Sequence, residues 1–123
     1  INPSDANTHG TLAKCYLDKG DNKSAVDAAL VAVEKNPDSF EANFSAAQIL
    51  GRTGSSSKET LPYYEKATEI EPSNSKALRE LAGAYYDLGE KQKSIQVFEN
   101  AISNEEFLLM YLESLQNPLS FWR

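Results

Sequence analysis

Along most of the chain, apolar residues recur at three- and four-residue steps, the spacing that gathers them on one side of an α-helix. Ala77, Leu78, Leu81, Ala82, Tyr85 and Leu88 follow it. So do Tyr64, Ala67 and Ile70, and again Ile95, Phe98, Ala101 and Ile102. Glycines at 20, 54 and 89 and prolines at 37 and 72 interrupt the pattern. Glycine is the usual helix stop, and proline cannot continue a helix because it lacks the N–H and clashes with the preceding turn. The interruptions predict three pairs of helices, at about 6–19 and 23–35, 39–52 and 58–71, and 75–88 and 91–103. Pro62 falls near the start of its helix, where proline is tolerated, and predicts a late start or a bend.

The interruptions are periodic. Pro3, Pro37 and Pro72 are 34 and 35 residues apart, as are Gly20, Gly54 and Gly89, while Ala32, Ala67 and Ala101 are 35 and 34 apart. The three series agree if one extra residue lies between Gly54 and Thr60, and Ser55-Ser56-Ser57 is a surface turn that would take it. The first copy reads His9, Leu12, Ala13, Tyr16, Ala25, Ala29 and Pro37. The second reads Asn43, Ala46, Ala47, Leu50, Thr60, Tyr64 and Pro72; the third reads Leu78, Leu81, Ala82, Tyr85, Ser94 and Phe98, with Glu106 where proline would fall. Over residues 1 to about 104 this resembles the tetratricopeptide repeat (TPR), whose signature has a 34-residue period. The resemblance implies an all-α fold: a right-handed α-solenoid of three helix-turn-helix repeats, with a C-terminal helix after them. Ala13, Ala47 and Ala82 would let two helices approach closely, while Tyr16, Leu50 and Tyr85 would fill the space between neighbours. A single pair cannot bury its apolar face alone, so stability would come from stacking.

The chain reads as one domain. Residues 1–5 match the end of a preceding repeat, 6–38 are repeat one, 39–73 repeat two, 74–104 repeat three, and 105–123 a C-terminal helix and tail. Ile1-Asn2-Pro3 matches the segments around Asn36-Pro37 and Glu71-Pro72, which points to a repeat upstream. Ser103 and Glu106 have the spacing of a capping box and predict a new helix over 104–116. That helix would be apolar over most of its circumference and should be covered on more than one face. Phe107, Met110 and Tyr111, with Phe121 and Trp122 of the tail, are candidates for self-association. The tail aromatics could equally fold back onto repeat three.

In the family that the pattern resembles, the first helix of each repeat lines a concave groove that takes extended peptides or helices. By register the groove would include Asn7, Lys14 and Leu17, then Phe44, Gln48 and Arg52, then Lys76, Arg79, Gly83 and Tyr86. Phe44 and Tyr86 would be the anchors, because aromatic residues supply much of the binding energy at interfaces. Lys14, Arg52, Lys76 and Arg79 could pair with carboxylates. The alternative is that the aromatics pack between repeats and the lysines are solvated. One subgroup of the family clamps the acidic tails of heat-shock chaperones. Its positions fall here on Gly10, Lys14, Ser45, Lys76 and Glu80, of which only Lys76 agrees and Glu80 reverses the charge.

Charge and rare residues narrow the function further. A formal charge of −6 speaks against a nucleic-acid backbone or an anionic membrane surface as the main partner. No apolar run is long enough for membrane insertion. His9, the sole histidine, stands at a packing position, and Cys15, the sole cysteine, reads as a small buried residue with no base beside it. The stretch from Gly51 to Lys58 fails the spacing of a phosphate loop and reads as a turn. The sequence therefore predicts no enzyme and no cofactor. It predicts a scaffold or adaptor whose partners are proteins or peptides, or else a module that assembles into a homo-oligomer. The acidic balance and the lack of a visible leader lean toward the cytoplasm, although a periplasmic or organellar array would share both.

Overall fold

The computed structural model describes residues 6–116, without the side chains of 6, 7, 106–108, 110–112 and 114–116. It has six helices: α1 (Ala6–Lys19), α2 (Asn22–Lys35), α3 (Phe40–Arg52), α4 (Ser57–Ile70), α5 (Ser75–Asp87) and α6 (Lys91–Gln116). Among the described residues there is no strand. Each helix packs on the next in sequence, and α3 also packs on α1. Three helical hairpins thus stack in one direction, an α-solenoid in which every contact is with a neighbour.

Two kinds of turn, each written in the sequence, build this repetition. Within a hairpin the first helix ends at Gly20, Gly54 or Gly89, with φ of +90°, +95° and +79°. A Cβ is strained in that left-handed region, which is why glycine stands there. The next residue then donates back to the last turn: Asp21 to the Tyr16 carbonyl, Ser55 to Leu50 and Glu90 to Tyr85, all at 2.9 Å. This satisfies carbonyls that the helix end leaves open. Between hairpins, Asn36 and Glu71 are held out of helical geometry by the prolines that follow them. Asp21, Ser39 and Asn74 cap the helices after the turns, accepting from the backbone N–H of Ser24, Ala42 and Ala77 at 3.1, 3.2 and 3.1 Å. Buried Asn43 secures one inter-hairpin turn, donating through Nδ2 to the carbonyls of Pro37 and Ser39 at 2.9 Å each.

Small residues set the helix spacing as expected. Ala13, Ala47 and Ala82 on the first helices are fully buried, as are Ala25 and Ala67 on the second. Ser94, at the register of Ala25 and Thr60, is also buried, and its hydroxyl donates to the Ala82 carbonyl at 2.8 Å, bringing α6 close to α5. Two apolar clusters result. One joins Ala13 of α1, Ala25, Ala28 and Ala29 of α2, and Ala46 and Ile49 of α3. The other joins Phe44 and Ala47 of α3, Tyr64 and Ala67 of α4, and Ala77, Leu81 and Ala84 of α5.

Three expectations are corrected. First, of the two outcomes expected at Pro62 the late start does not occur: α4 begins at Ser57 and runs through Pro62. The missing N–H leaves only the Lys58 carbonyl, in the first turn, without its usual donor. Second, no new helix begins at Asn104. Residues 91–103 and 104–116 form one helix, α6, so the third repeat and the expected C-terminal helix are continuous. Ser103 can cap only if it leaves helical geometry. With Glu106 at the proline position and no glycine nearby, nothing compels it to do so. Third, Cys15 is exposed, not buried. It lies beside Thr8, Thr11 and Leu12 in an apolar hollow on α1.

Candidate interaction groove

The first helices of the three hairpins share a concave side. Helical spacing aligns Lys14, Leu17 and Asp18 on α1 and Ser45, Gln48, Ile49 and Arg52 on α3. With Lys76 of α5 they line a cavity of about 290 Å³. Five of the residues expected from register, Lys14, Leu17, Gln48, Arg52 and Lys76, are therefore brought together from three separate helices. Three cations face one carboxylate, Asp18, although the chain as a whole carries −6. Among the described residues neither Lys14 nor Arg52 has an ion-pair partner. Lys76 is placed by a contact that the sequence did not reveal, its Nζ lying 5.6 Å from the centre of the Phe44 ring.

Phe44 itself is not available as an anchor. It is only 9% exposed and belongs to the second apolar cluster. Its ring stacks on Phe40 at 5.4 Å and meets Tyr64 edge-on at 5.9 Å. Tyr86 is 61% exposed but does not line the cavity. Asn7 lies outside the described side chains, as do Phe107, Met110, Tyr111, Phe121 and Trp122. Ser45 and Ile49 share the α3 face with Gln48 and Arg52. Each stands three residues from one of those two, Ser45 from Gln48 and Ile49 from Arg52, and that spacing was the signal for them.

Arg79 and Gly83 line a second concavity of about 320 Å³ between the end of α3, the start of α4 and α5. Its charged groups are largely engaged within the fold. Arg79 pairs with Glu105 at 3.4 Å, and Ser57 donates to Asp87 at 2.9 Å. The Tyr64 hydroxyl donates to Glu80 at 3.4 Å. Burial, with the Glu80 charge and hydrogen bond behind it, pushes the Tyr64 phenol up to about 12. Tyr85 is raised in the same way, first by burial and then by its 3.0 Å hydrogen bond to Glu65. Neither phenol is poised to give up a proton near neutral pH. Among the described residues no group of three or more His, Cys, Asp or Glu side chains could hold a metal ion. No helix among them is long and apolar enough to cross a membrane.

Comparison with known proteins agrees with the helical-repeat fold. The profile of the family described as "Psidin, N-terminal TPR repeats region" matches residues 15–115. Cellulose synthase operon protein C of Pseudomonas fluorescens (strain SBW25) is 26% identical over 103 residues, covering 84% of this chain and 8% of that protein. Two crystal structures of MamA superpose with TM-scores of 0.77 and 0.72 at 20% and 21% identity, covering 88% and 84% of this chain. The chain spans 63% and 56% of those two chains and a small part of the curated relative. At this identity the likeness to MamA concerns the fold.

Proposed function

The chain belongs to the family of the Psidin N-terminal TPR repeats region, and on that premise we propose that it is a protein-interaction module that holds an extended, acidic peptide segment in its concave groove. The observation that carries this reading is the convergence of Lys14, Arg52 and Lys76 on one cavity of an otherwise acidic chain. Among the described residues neither Lys14 nor Arg52 is neutralised by an ion pair, so both can offer charge-assisted hydrogen bonds to incoming carboxylates. Leu17 and Ile49 supply apolar floor beside them, and Gln48 and Ser45 can bond to a peptide backbone.

The test is affinity capture from a native extract, comparing the wild-type chain with a Lys14→Glu, Arg52→Glu variant. Both substituted residues are exposed, so far-ultraviolet circular dichroism should show unchanged helicity. Loss of an acidic partner from the variant supports the groove. Identical partners on both proteins would move the binding surface elsewhere.

A second reading, self-assembly through α6, is favoured by a different observation. Ile95, Phe98, Ile102 and Leu109 leave this helix with large apolar side chains exposed.

A further inference from the structure

The two concavities are one site repeated. Ser45, Gln48, Ile49 and Arg52 of α3 line the first, and Glu80, Gly83, Ala84 and Asp87 of α5 line the second. Each residue of the second set stands 35 places after its counterpart, which is the repeat spacing. Across from them, Leu17 of α1 is matched one period later by Gly51 of α3. The chemistry of the two is opposite. The first offers Lys14, Arg52 and Lys76 against Asp18. In the second, Glu80 replaces Ser45 and Asp87 replaces Arg52, while the cation Arg79 pairs with Glu105 at 3.4 Å. Glu80 accepts from the Tyr64 hydroxyl and Asp87 from the Ser57 hydroxyl. Both donors are neutral, so they orient the carboxylates without cancelling their charge. Among the described residues neither carboxylate has an ion-pair partner. Gly83 lies between them on the same helix face. Glycine in mid-helix costs about 1 kcal/mol relative to alanine. Its φ is not left-handed, and no atom lies within 4 Å of where a Cβ would stand. Neither backbone conformation nor packing calls for glycine there; its effect is to leave open the space between Glu80 and Asp87.

We propose that the second concavity takes a lysine or arginine side chain of the same segment whose acidic residues lie in the first. This rests on the groove reading and specifies the charge pattern of its partner. The cation would pair with Glu80 and Asp87, and the opening at Gly83 would admit its apolar stem beside Ala84. Packed helices lie about 8–10 Å apart and an extended chain advances about 3.3–3.6 Å per residue, so the basic residue should stand about three residues from the acidic ones. The opposed charges also give discrimination. A uniformly acidic segment would set a carboxylate against Glu80 and Asp87, and a segment laid in the reverse direction would meet like charge in both cavities.

The test is selection from a random-sequence peptide library displayed on phage. It is panned against the wild-type chain, a Glu80→Gln, Asp87→Asn variant and a Lys14→Glu, Arg52→Glu variant. The amides keep an oxygen to accept from Tyr64 and Ser57, so circular dichroism and the thermal midpoint should match the wild type. The wild type should enrich peptides that carry glutamate or aspartate with lysine or arginine about three residues away. The amide variant should keep the acidic preference and lose the basic one. On the wild type, replacing the selected basic residue by norleucine should weaken binding about tenfold, the worth of one hydrogen bond to a charged group. The same replacement should leave affinity for the amide variant unaltered. A wild type that enriches acidic peptides with no basic residue at a fixed offset overturns this proposal and leaves the groove reading standing, as does a basic preference that survives in the amide variant. A wild type with no acidic preference, or one that the Lys14→Glu, Arg52→Glu variant retains, overturns the groove reading and this proposal with it.

Discussion

Replacing Phe44 by alanine should destabilise the array before it alters any ligand contact. The ring is held by Phe40 on one face, Tyr64 at its edge and Lys76 across the open side. Deleting a buried phenylalanine costs about 3–5 kcal/mol, because transfer energy is lost and a cavity remains. Phe44 keeps one slightly exposed edge, which places the transfer part toward the lower end, and loss of the aromatic pairs adds about 0.5–1.5 kcal/mol. Set against a typical domain stability of about 5–15 kcal/mol, that is a large fraction. The site is in the middle hairpin, so the loss also weakens the coupling of the first repeat to the third. Urea unfolding followed by helical ellipticity measures it. The midpoint should fall sharply in Phe44→Ala and by much less in Phe44→Leu, which keeps the apolar volume and costs about 1.5 kcal/mol or less. Tyr86→Ala, at an exposed position, should stay within about 0.5 kcal/mol of wild type. If Phe44→Ala were as stable as Tyr86→Ala, the assignment of Phe44 to the core would be wrong.

Gly54→Ala should cost about 1–2 kcal/mol, since an L-residue is strained in the left-handed region and no neighbouring atom lies close enough to add a clash; an unchanged thermal midpoint would contradict the turn geometry. Tyr64 makes stability fall in strong alkali. Its folded pKa of about 12 lies above the ordinary 10, so its stabilisation is intact below pH 10 and is lost as the pH rises toward 12. Tyr64→Phe should shift that fall toward higher pH, as read by ellipticity during an alkaline titration. At the acid end, hydrogen bonds from Ser24 hold the Asp21 carboxyl below its ordinary value. Its contribution is present above pH 3.8 and is lost as the pH drops through the folded value, so Asp21→Ala should be less sensitive to acid than wild type.

The helices and their order were legible in the sequence because the turn residues are chemically specific. Gly20, Gly54 and Gly89 occupy backbone conformations that other residues resist, and Pro37 and Pro72 hold Asn36 and Glu71 out of the helix. The groove was legible to the extent that helical register is, which recovered Lys14, Leu17, Gln48, Arg52 and Lys76. Register failed at Phe44 because it gives the direction in which a side chain leaves the helix, not where a large ring comes to rest. The same position holds Gly10 in repeat one and Arg79 in repeat three, neither of which could fill the space among Phe40, Tyr64 and Lys76. The capping box at Ser103 misled for a related reason. A cap motif marks a helix start only where something breaks the preceding helix, and no glycine or proline lies between Lys91 and Gln116.

Burial in a repeat array belongs to the neighbour as much as to the residue, and the two outer faces make the point quantitatively. Leu12 and Leu81 are the same residue at the same register, yet Leu12 is 42% exposed and Leu81 is 6% exposed. Tyr64 and Phe98 are a matched aromatic pair, 7% and 40% exposed. No local feature of the sequence distinguishes the members of either pair; among the described residues a further hairpin packs on the face of Leu81 and Tyr64 and none on that of Leu12 and Phe98. Fully burying a leucine or phenylalanine side chain contributes about 1.5–3 kcal/mol. Leu12, Ile95, Phe98 and Ile102 are all exposed and so forgo part of that contribution. Those four side chains stand apart from the residues that line the concave groove.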